Sequence, residues 1–266
     1  MDSDEPIYRT DLAYVHDQGY GFHADICAPG ILALLEPLRE RSGMVLEIGC
    51  GSGLLTRYLV ERGHRVIATD ASPAMLDLAR SAVPRAEEVR TLVLPADPIP
   101  AADAIVGIGH ALNYLPSVQA IERGLSALAD ALTPGGVLAV DLCDLEWGAL
   151  RQGAAPHGRV GDDWAIITRF SQPEPGRFDR AITTFVQAEG GGYRRRDEFH
   201  RTVLLDTSTV PDLLARHGVT ASVGTTFDDP QFPLPRGLRT IIGRKAGPLR
   251  GGRTAGAAPG TRGDRR

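Results

Sequence analysis

The chain has 266 residues, 42% of them hydrophobic and 23% charged, proportions that exclude wholesale disorder and allow one large domain or two small ones. No stretch approaches the roughly 18 unbroken apolar residues of a membrane helix, and the 31 glycines and 19 prolines follow no triplet period. The net charge of −4 averages a basic tail, +4 over residues 246–266, with a body of −8 that suits nucleic-acid backbones poorly; without a spanning segment no membrane partner is expected.

In chain order, residues 1–6 are acidic and carry no apolar run, so no signal peptide is read there and a cytoplasmic location is expected. Residues 1–40 form an N-terminal cap segment with a helix ending near Glu40, preceded by a mixed aromatic stretch from Tyr14 to His23. From 41 to 145 short apolar runs alternate with helical patterns. Strands are predicted at Met44–Ile48, Arg65–Thr69, Val89–Leu94, Ala104–Ile108 and Gly136–Leu142, with helices at Leu54–Arg62, Pro73–Ala82 and Ser117–Leu132. The last helix meets Thr133-Pro134-Gly135-Gly136, a strong stop signal. This alternation predicts an α/β fold, a Rossmann-like doubly wound and mainly parallel sheet.

Residues 146–205 read differently. Three strands between 163 and 205, separated by Pro173-Glu174-Pro175-Gly176 and Glu189-Gly190-Gly191-Gly192, predict an antiparallel cap inserted after the fifth strand. Residues 206–245, with a helix at Thr207–Arg216 and strands near Val219–Phe227 and Gly237–Arg244, complete the main sheet. The tail, 246–266, has no apolar periodicity and is expected to be disordered. Of the 15 aromatic residues only Tyr58 and Tyr114 fall between Ser42 and Leu142, while 11 fall in 1–40 or 144–200. Such bulk either builds the cap's own core or lines a site for an apolar small molecule, and the two are compatible. Cys27, Cys50 and Cys143 are too far apart for a zinc spacing and read as reduced apolar residues.

The strongest local signal is Val45-Leu46-Glu47-Ile48-Gly49-Cys50-Gly51-Ser52-Gly53, at the junction of a strand and a helix. Glycines at such a turn let backbone approach a ligand, and the first helical amides face it. Leu54 stands where the dinucleotide fingerprint needs glycine, and no Lys-Ser or Lys-Thr follows, so neither pyrophosphate nor triphosphate binding is favoured. Glu47 would repel a pyrophosphate but suits an ammonium or sulfonium charge. Asp70, followed by Ala71 at the tip of the next strand, is placed to accept from both ribose hydroxyls. A nucleoside with a cationic appendage and no pyrophosphate is S-adenosylmethionine.

With these motifs the chain resembles the class I S-adenosylmethionine-dependent methyltransferases, clearly over about residues 40–145 and loosely elsewhere. The resemblance implies that Gly49, Gly51 and Gly53 lie under the methionine part of the cofactor and that Glu47 orients the loop or reaches the amino group. It matches Asp70 to the ribose acid, Met75 to a residue packing on adenine, and Asp97 to the acid that meets the adenine amino group. Gly109 and His110 correspond to the strand end where backbone nears the methionine moiety and side chains near the acceptor. The cap layout is similar to small-molecule methyltransferases of bacterial secondary metabolism, which implies a small natural-product-like acceptor methylated on oxygen or nitrogen.

Methyl transfer is an in-line displacement that needs alignment, exclusion of water and, for a hydroxyl, a base. His110 is the first base candidate because strand carboxyl ends face the ligand crevice, with Asn113 and Tyr114 following it. His200 is the second. Alternation puts Arg194, Arg196, Glu198, His200 and Thr202 on one strand face, which either looks inward at a polar or acidic acceptor or, the preferred reading, outward into solvent. Tyr14, His16 and Tyr20 are further cap candidates. Asp141 and Asp144 have the spacing of a possible Mg²⁺ pair but read as loop or cap groups, so no metal is expected. A cofactor-binding module without transfer activity and a nicotinamide-dependent oxidoreductase remain as other classes. Intact Glu47, Gly51 and Asp70 weigh against the first and Leu54 against the second.

Overall fold

The computed structural model describes residues 7–247; residues 1–6, and 248–266 of the tail expected to be disordered, lie outside the described residues. Two helices come first, α1 (Thr10–Gly19) and α2 (Phe22–Arg39). The aromatic stretch from Tyr14 to His23 is thus mostly helical and breaks at Tyr20-Gly21. Then follow β1 (Met44–Ile48), α3 (Leu54–Glu61), β2 (Arg65–Asp70), α4 (Pro73–Ala82), β3 (Glu88–Thr91), β4 (Ala102–Gly107), α5 (Val118–Ala131) and β5 (Leu132–Cys143). After a short α6 (Leu145–Ala149) come β6 (His157–Val160), β7 (Trp164–Ser171), β8 (Arg177–Gln187) and β9 (Tyr193–Val203). The described chain ends with α7 (Val210–Ala215), β10 (Val219–Gly224) and β11 (Leu238–Lys245).

The main sheet has seven strands in the order β10-β11-β5-β4-β1-β2-β3. β1 to β5 run parallel, and β11 lies antiparallel to both β5 and β10. The fold is the Rossmann-like doubly wound sheet with an antiparallel insertion. Its central strands are apolar because both faces are covered: Leu35, Leu55, Leu59 and Leu76 are fully buried on one side, and Ile121, Leu125, Leu128 and Leu214 on the other. The strand order reverses at β1, which pairs with β2 on one flank and β4 on the other. Ligands of open α/β sheets bind at the carboxyl ends beside such a switch point. Local signals fix the helices there. Ser72 caps α4 by accepting from Met75 N–H at 3.2 Å with Pro73 in the first turn, and Ser117 caps α5 by accepting from Ala120 N–H at 3.1 Å.

The second sheet is an antiparallel β6-β7-β8-β9 ladder. It has four strands where three are predicted; β6, of sequence His-Gly-Arg-Val, has no apolar alternation and is held by pairing with β7. The inner face of this sheet packs on α1 through Leu12, Val15, Trp164, Ile166, Ile182 and Val186. Two predicted strand ends also move. β3 closes at Thr91, and Leu92, Val93 and Leu94 leave the sheet to line a cavity. The stop sequence ends α5 at Ala131 as read, yet the chain is already extended at Leu132, which pairs with Ala102 ahead of a register shift. Among the described residues no helix is long and apolar enough to cross a membrane.

Candidate active site

β1 delivers Glu47 and, through Ile48, the glycine turn. Gly49, Gly51 and Gly53 all have positive φ (63°, 56° and 88°), a region closed to most residues but open to glycine. A Cβ on Gly49 would lie 2.5 Å from that of Ala111, whereas one on Gly51 would meet only Met75 Sδ, at 3.8 Å, and would project into open space. Asp70 holds the turn from β2: one carboxylate oxygen accepts from Gly51 N–H at 2.9 Å and the other from Ser72 N–H at 2.8 Å. Spare lone pairs on both oxygens remain for a ligand's hydroxyls.

Glu47 is 1% exposed, with Thr56 Oγ1 donating to it at 2.6 Å. Burial, with the nearby Asp70 charge adding to it against the Thr56 hydrogen bond, pushes its carboxyl up to about 8. Asp70 is raised as well, by burial that outweighs its backbone hydrogen bonds. Neither carboxylate has a cationic partner among the described residues. Two buried acids facing one turn are poorly matched to each other and well matched to a ligand carrying positive charge. The open space before Gly51 and this unsatisfied acid pair fit S-adenosylmethionine.

A cavity of about 490 Å³ joins this turn to a second, aromatic end, a size usual for small-molecule sites. Glu47, Gly49, Gly51, Asp70, Ala71, Met75, Leu92 and Gly109 line the first end, and Tyr8, His16, Tyr20, His23 and Tyr114 the second. Burial, reinforced by the Arg180 charge, lowers His16 to about 4, so its ring is neutral at physiological pH; it stacks on Tyr20 with centroids 5.5 Å apart. Tyr8 and Tyr114 share a hydroxyl contact of 3.1 Å, Tyr114 Oη lies 3.4 Å from His200 Nδ1, and His200 Nε2 lies 3.0 Å from Glu198. Because a carboxylate accepts only, His200 carries its proton on Nε2 and presents Nδ1 as acceptor to Tyr114.

Several expectations are corrected. His110 adopts a left-handed φ of 51° and its ring is absent from the cavity lining, stacked on Tyr114 at 5.9 Å and close to Trp147. Burial, with Arg180 adding to it, lowers it to about 3, too far for a competent base near neutrality. Asp141 holds this turn by accepting from Gly109 N–H at 3.0 Å and His110 N–H at 2.5 Å, and it contacts His23 Nε2 at 2.8 Å. Burial works to raise Asp141, but His23 and the His110 charge and amide outweigh it and hold it below the usual carboxylate range. The polar face of β9 turns inward at Glu198, His200 and Thr202, since the residues opposite them must cover the sheet's outside; Phe199 is 39% exposed and His200 0%. Tyr14 does not reach this cavity. It lines a separate groove, and its hydroxyl donates to Asp163 at 2.7 Å. Asp97 accepts from Val93 N–H at 2.8 Å as a turn group, and Gly53, where a Cβ would lie 3.3 Å from Val83, is not among the lining residues. Asp144 caps α6 and accepts from Thr207 Oγ1 at 2.6 Å, apart from Asp141. His23, Cys27 and Asp141 bring one ligand atom each within 4.8 Å, but Asp141 is already satisfied by two amides and His23.

The sequence reading missed Tyr8, His23 and Arg180. Tyr8 precedes the first helix, and Arg180 sits in a strand whose inner face is otherwise apolar or hydroxylated, so neither belongs to a local motif.

Comparison with known proteins places this geometry. Residues 46–140 match the family model described as a methyltransferase domain. An uncharacterised methyltransferase of Mycobacterium tuberculosis is 35% identical over 137 residues, 49% of this chain and 52% of that protein. The chain thus spans about half the length of the curated relatives it matches. A methyltransferase structure from Clostridium acetobutylicum superposes with a TM-score of 0.70 at 18% identity, covering 89% of this chain and 98% of the other. An amino pentose methyltransferase from Micromonospora echinaspora, solved with S-adenosylmethionine bound, gives 0.68 at 17% identity over 92% and 100%. Residues 46–140 therefore carry a methyltransferase domain, set in a fold that the two solved methyltransferases share.

Proposed function

We propose that the chain as a whole is a methyltransferase that acts on a small, natural-product-like acceptor at a nucleophilic oxygen or nitrogen. The carrying observation is the continuity of the cavity: the Glu47, Gly51 and Asp70 end and the Tyr8, His16, Tyr20 and Tyr114 end are walls of one space. When bound, S-adenosylmethionine supplies an electrophilic methyl group. Asp70 would accept from its ribose hydroxyls, and Glu47 would offer negative charge to its methionine end. Leu92, Leu94 and Leu112 exclude water from the first end.

At the other end the aromatic rings fix the acceptor plane, and in-line geometry follows from holding both partners in a closed space. A proton released by an acceptor hydroxyl passes to Tyr8 or Tyr114 and, from the Tyr114 hydroxyl, to His200 Nδ1. Burial, with Arg180 adding to it and the Glu198 hydrogen bond opposing it, lowers His200 and keeps it neutral and able to accept. An amine acceptor that binds neutral needs only the positioning. Calorimetry tests the reading: S-adenosylmethionine and S-adenosylhomocysteine should each bind at one site, and absence of both heats overturns it.

A further inference from the structure

Charged side chains that the fold draws inward mostly meet an opposite charge. Asp11 pairs with Arg194 at 2.5 Å, Asp179 with Arg177 at 2.9 Å, and Glu198 with Arg9 at 3.7 Å. Arg180 does not. β8 carries it directly across from His200, on the inner face of the antiparallel sheet. Its guanidinium reaches the Tyr114 hydroxyl and its central carbon lies 5.6 Å from the centroid of that ring. Its Nε is buried with no hydrogen-bond partner, and no carboxylate lies within ion-pair distance among the described residues.

The acid best placed to serve it is already engaged. Glu198, on the same face of the neighbouring strand, accepts from Tyr8 N–H at 2.8 Å and Arg9 N–H at 2.9 Å besides its contact with His200. Arginine stays charged under all ordinary conditions, so folding leaves a cation without its counter-charge against Tyr114, a wall residue of the cavity, from outside the lining itself. The groups that feel this charge are Tyr8, His16, Tyr20, His110 and His200. Three of them line the aromatic end of the cavity and two stand directly behind it. The histidines among them are held neutral, and Arg180, in contact with the lining residue Tyr114, is the positive charge they share.

We infer that Arg180 is the specificity-determining residue of the acceptor site and that the acceptor carries a carboxylate, received by the planar guanidinium fork beside the Tyr8 and Tyr114 hydroxyls. A fork of parallel N–H donors matches a carboxylate in two-point fashion, and such charge-assisted pairs are the strong ones. The inference rests on the methyltransferase reading above. It adds the substrate class, an anionic small molecule, and the residue that selects it.

The test uses the full chain saturated with S-adenosylhomocysteine and titrated with benzoate, 4-hydroxybenzoate and their uncharged amide twins. The acids are expected to bind roughly tenfold or more tighter than the amides. Arg180→Gln should abolish that preference, and Arg180→Lys, which keeps the charge but not the fork, should retain part of it. Both variants should bind S-adenosylhomocysteine as the native chain does. Because Arg180→Gln removes an unpaired inward charge, its melting temperature should not fall, whereas a purely structural role would lower it. Equal binding of acids and amides by the native chain, or an unchanged preference in Arg180→Gln, overturns the inference. Tighter binding of phenyl phosphate than of benzoate overturns the carboxylate assignment. Loss of S-adenosylhomocysteine binding in the native chain would instead strike the methyltransferase reading itself.

Discussion

Single residues at the cofactor end divide by what they touch. Asp70 accepts from two turn amides and faces the cavity, so Asp70→Ala should weaken S-adenosylhomocysteine binding by roughly 1.5–3 kcal/mol, read by calorimetry. His110→Ala should leave that affinity nearly unchanged, since its ring stands outside the lining. Tyr114→Phe keeps the ring and removes the link to His200, so kcat should fall while cofactor affinity holds. Glu47 adds a pH signature. With its carboxyl pushed up to about 8 it is protonated at pH 7 in the free protein. Engaging a cation favours the ionised form, so binding of S-adenosylmethionine should release a proton at pH 7 and tighten as pH rises toward 8. Calorimetry in two buffers of different ionisation enthalpy measures that proton, and Glu47→Gln should abolish its release. These acids were legible in the sequence because each sits at a strand tip beside glycine or a helix cap, a local and motif-bound position.

Elements carry a different lesson. The core strands and helices could be read along the chain because burial on both faces leaves uninterrupted apolar runs and capping serines mark the helix starts. The ends of β3 and β5 could not, since they depend on the register with neighbouring strands. β6 was missed because an exposed edge strand exists through its partner and not through its own pattern. Docking of the cap depends on the cluster around Trp164, which packs on Leu12 and Val15 of α1. Trp164→Ala should cost about 3–5 kcal/mol of stability by urea denaturation. In any variant that remains folded, acceptor KM should rise far more than the cofactor Kd, because α1 carries His16 and the cofactor turn belongs to the main sheet.

Stability of the whole molecule should depend on pH in a way that opposing groups set. His16 and His110 are lowered to about 4 and about 3, so below the ordinary value of about 6.5 the unfolded chain binds protons that the fold refuses. Stability contributed by their neutral state is therefore present above that value and lost as pH falls through it toward 4 and 3. Glu47 acts in the other direction, since a raised carboxyl stabilises the fold relative to the unfolded chain at low pH and that contribution fades between about 4.5 and 8. Two histidines outweigh one glutamate, so unfolding free energy should decline on acidification from pH 6.5 to 5. His16→Phe should flatten the decline by up to about 1.4 kcal/mol per pH unit in urea titrations.

What the sequence determined by itself was the doubly wound sheet and the glycine turn, because both are built from contiguous residues whose spacing and side-chain size act over one strand, one turn and one helix. Only the tertiary structure decided the aromatic end of the cavity. Tyr8, Tyr114, Arg180 and His200 come from the segment before α1, the turn after β4 and two strands of the inserted sheet. Their contacts depend on how that sheet faces the main one. The same geometry turned His200 inward, moved His110 out of the lining and left Arg180 without an acid, outcomes of packing between elements on which periodicity within one element is silent.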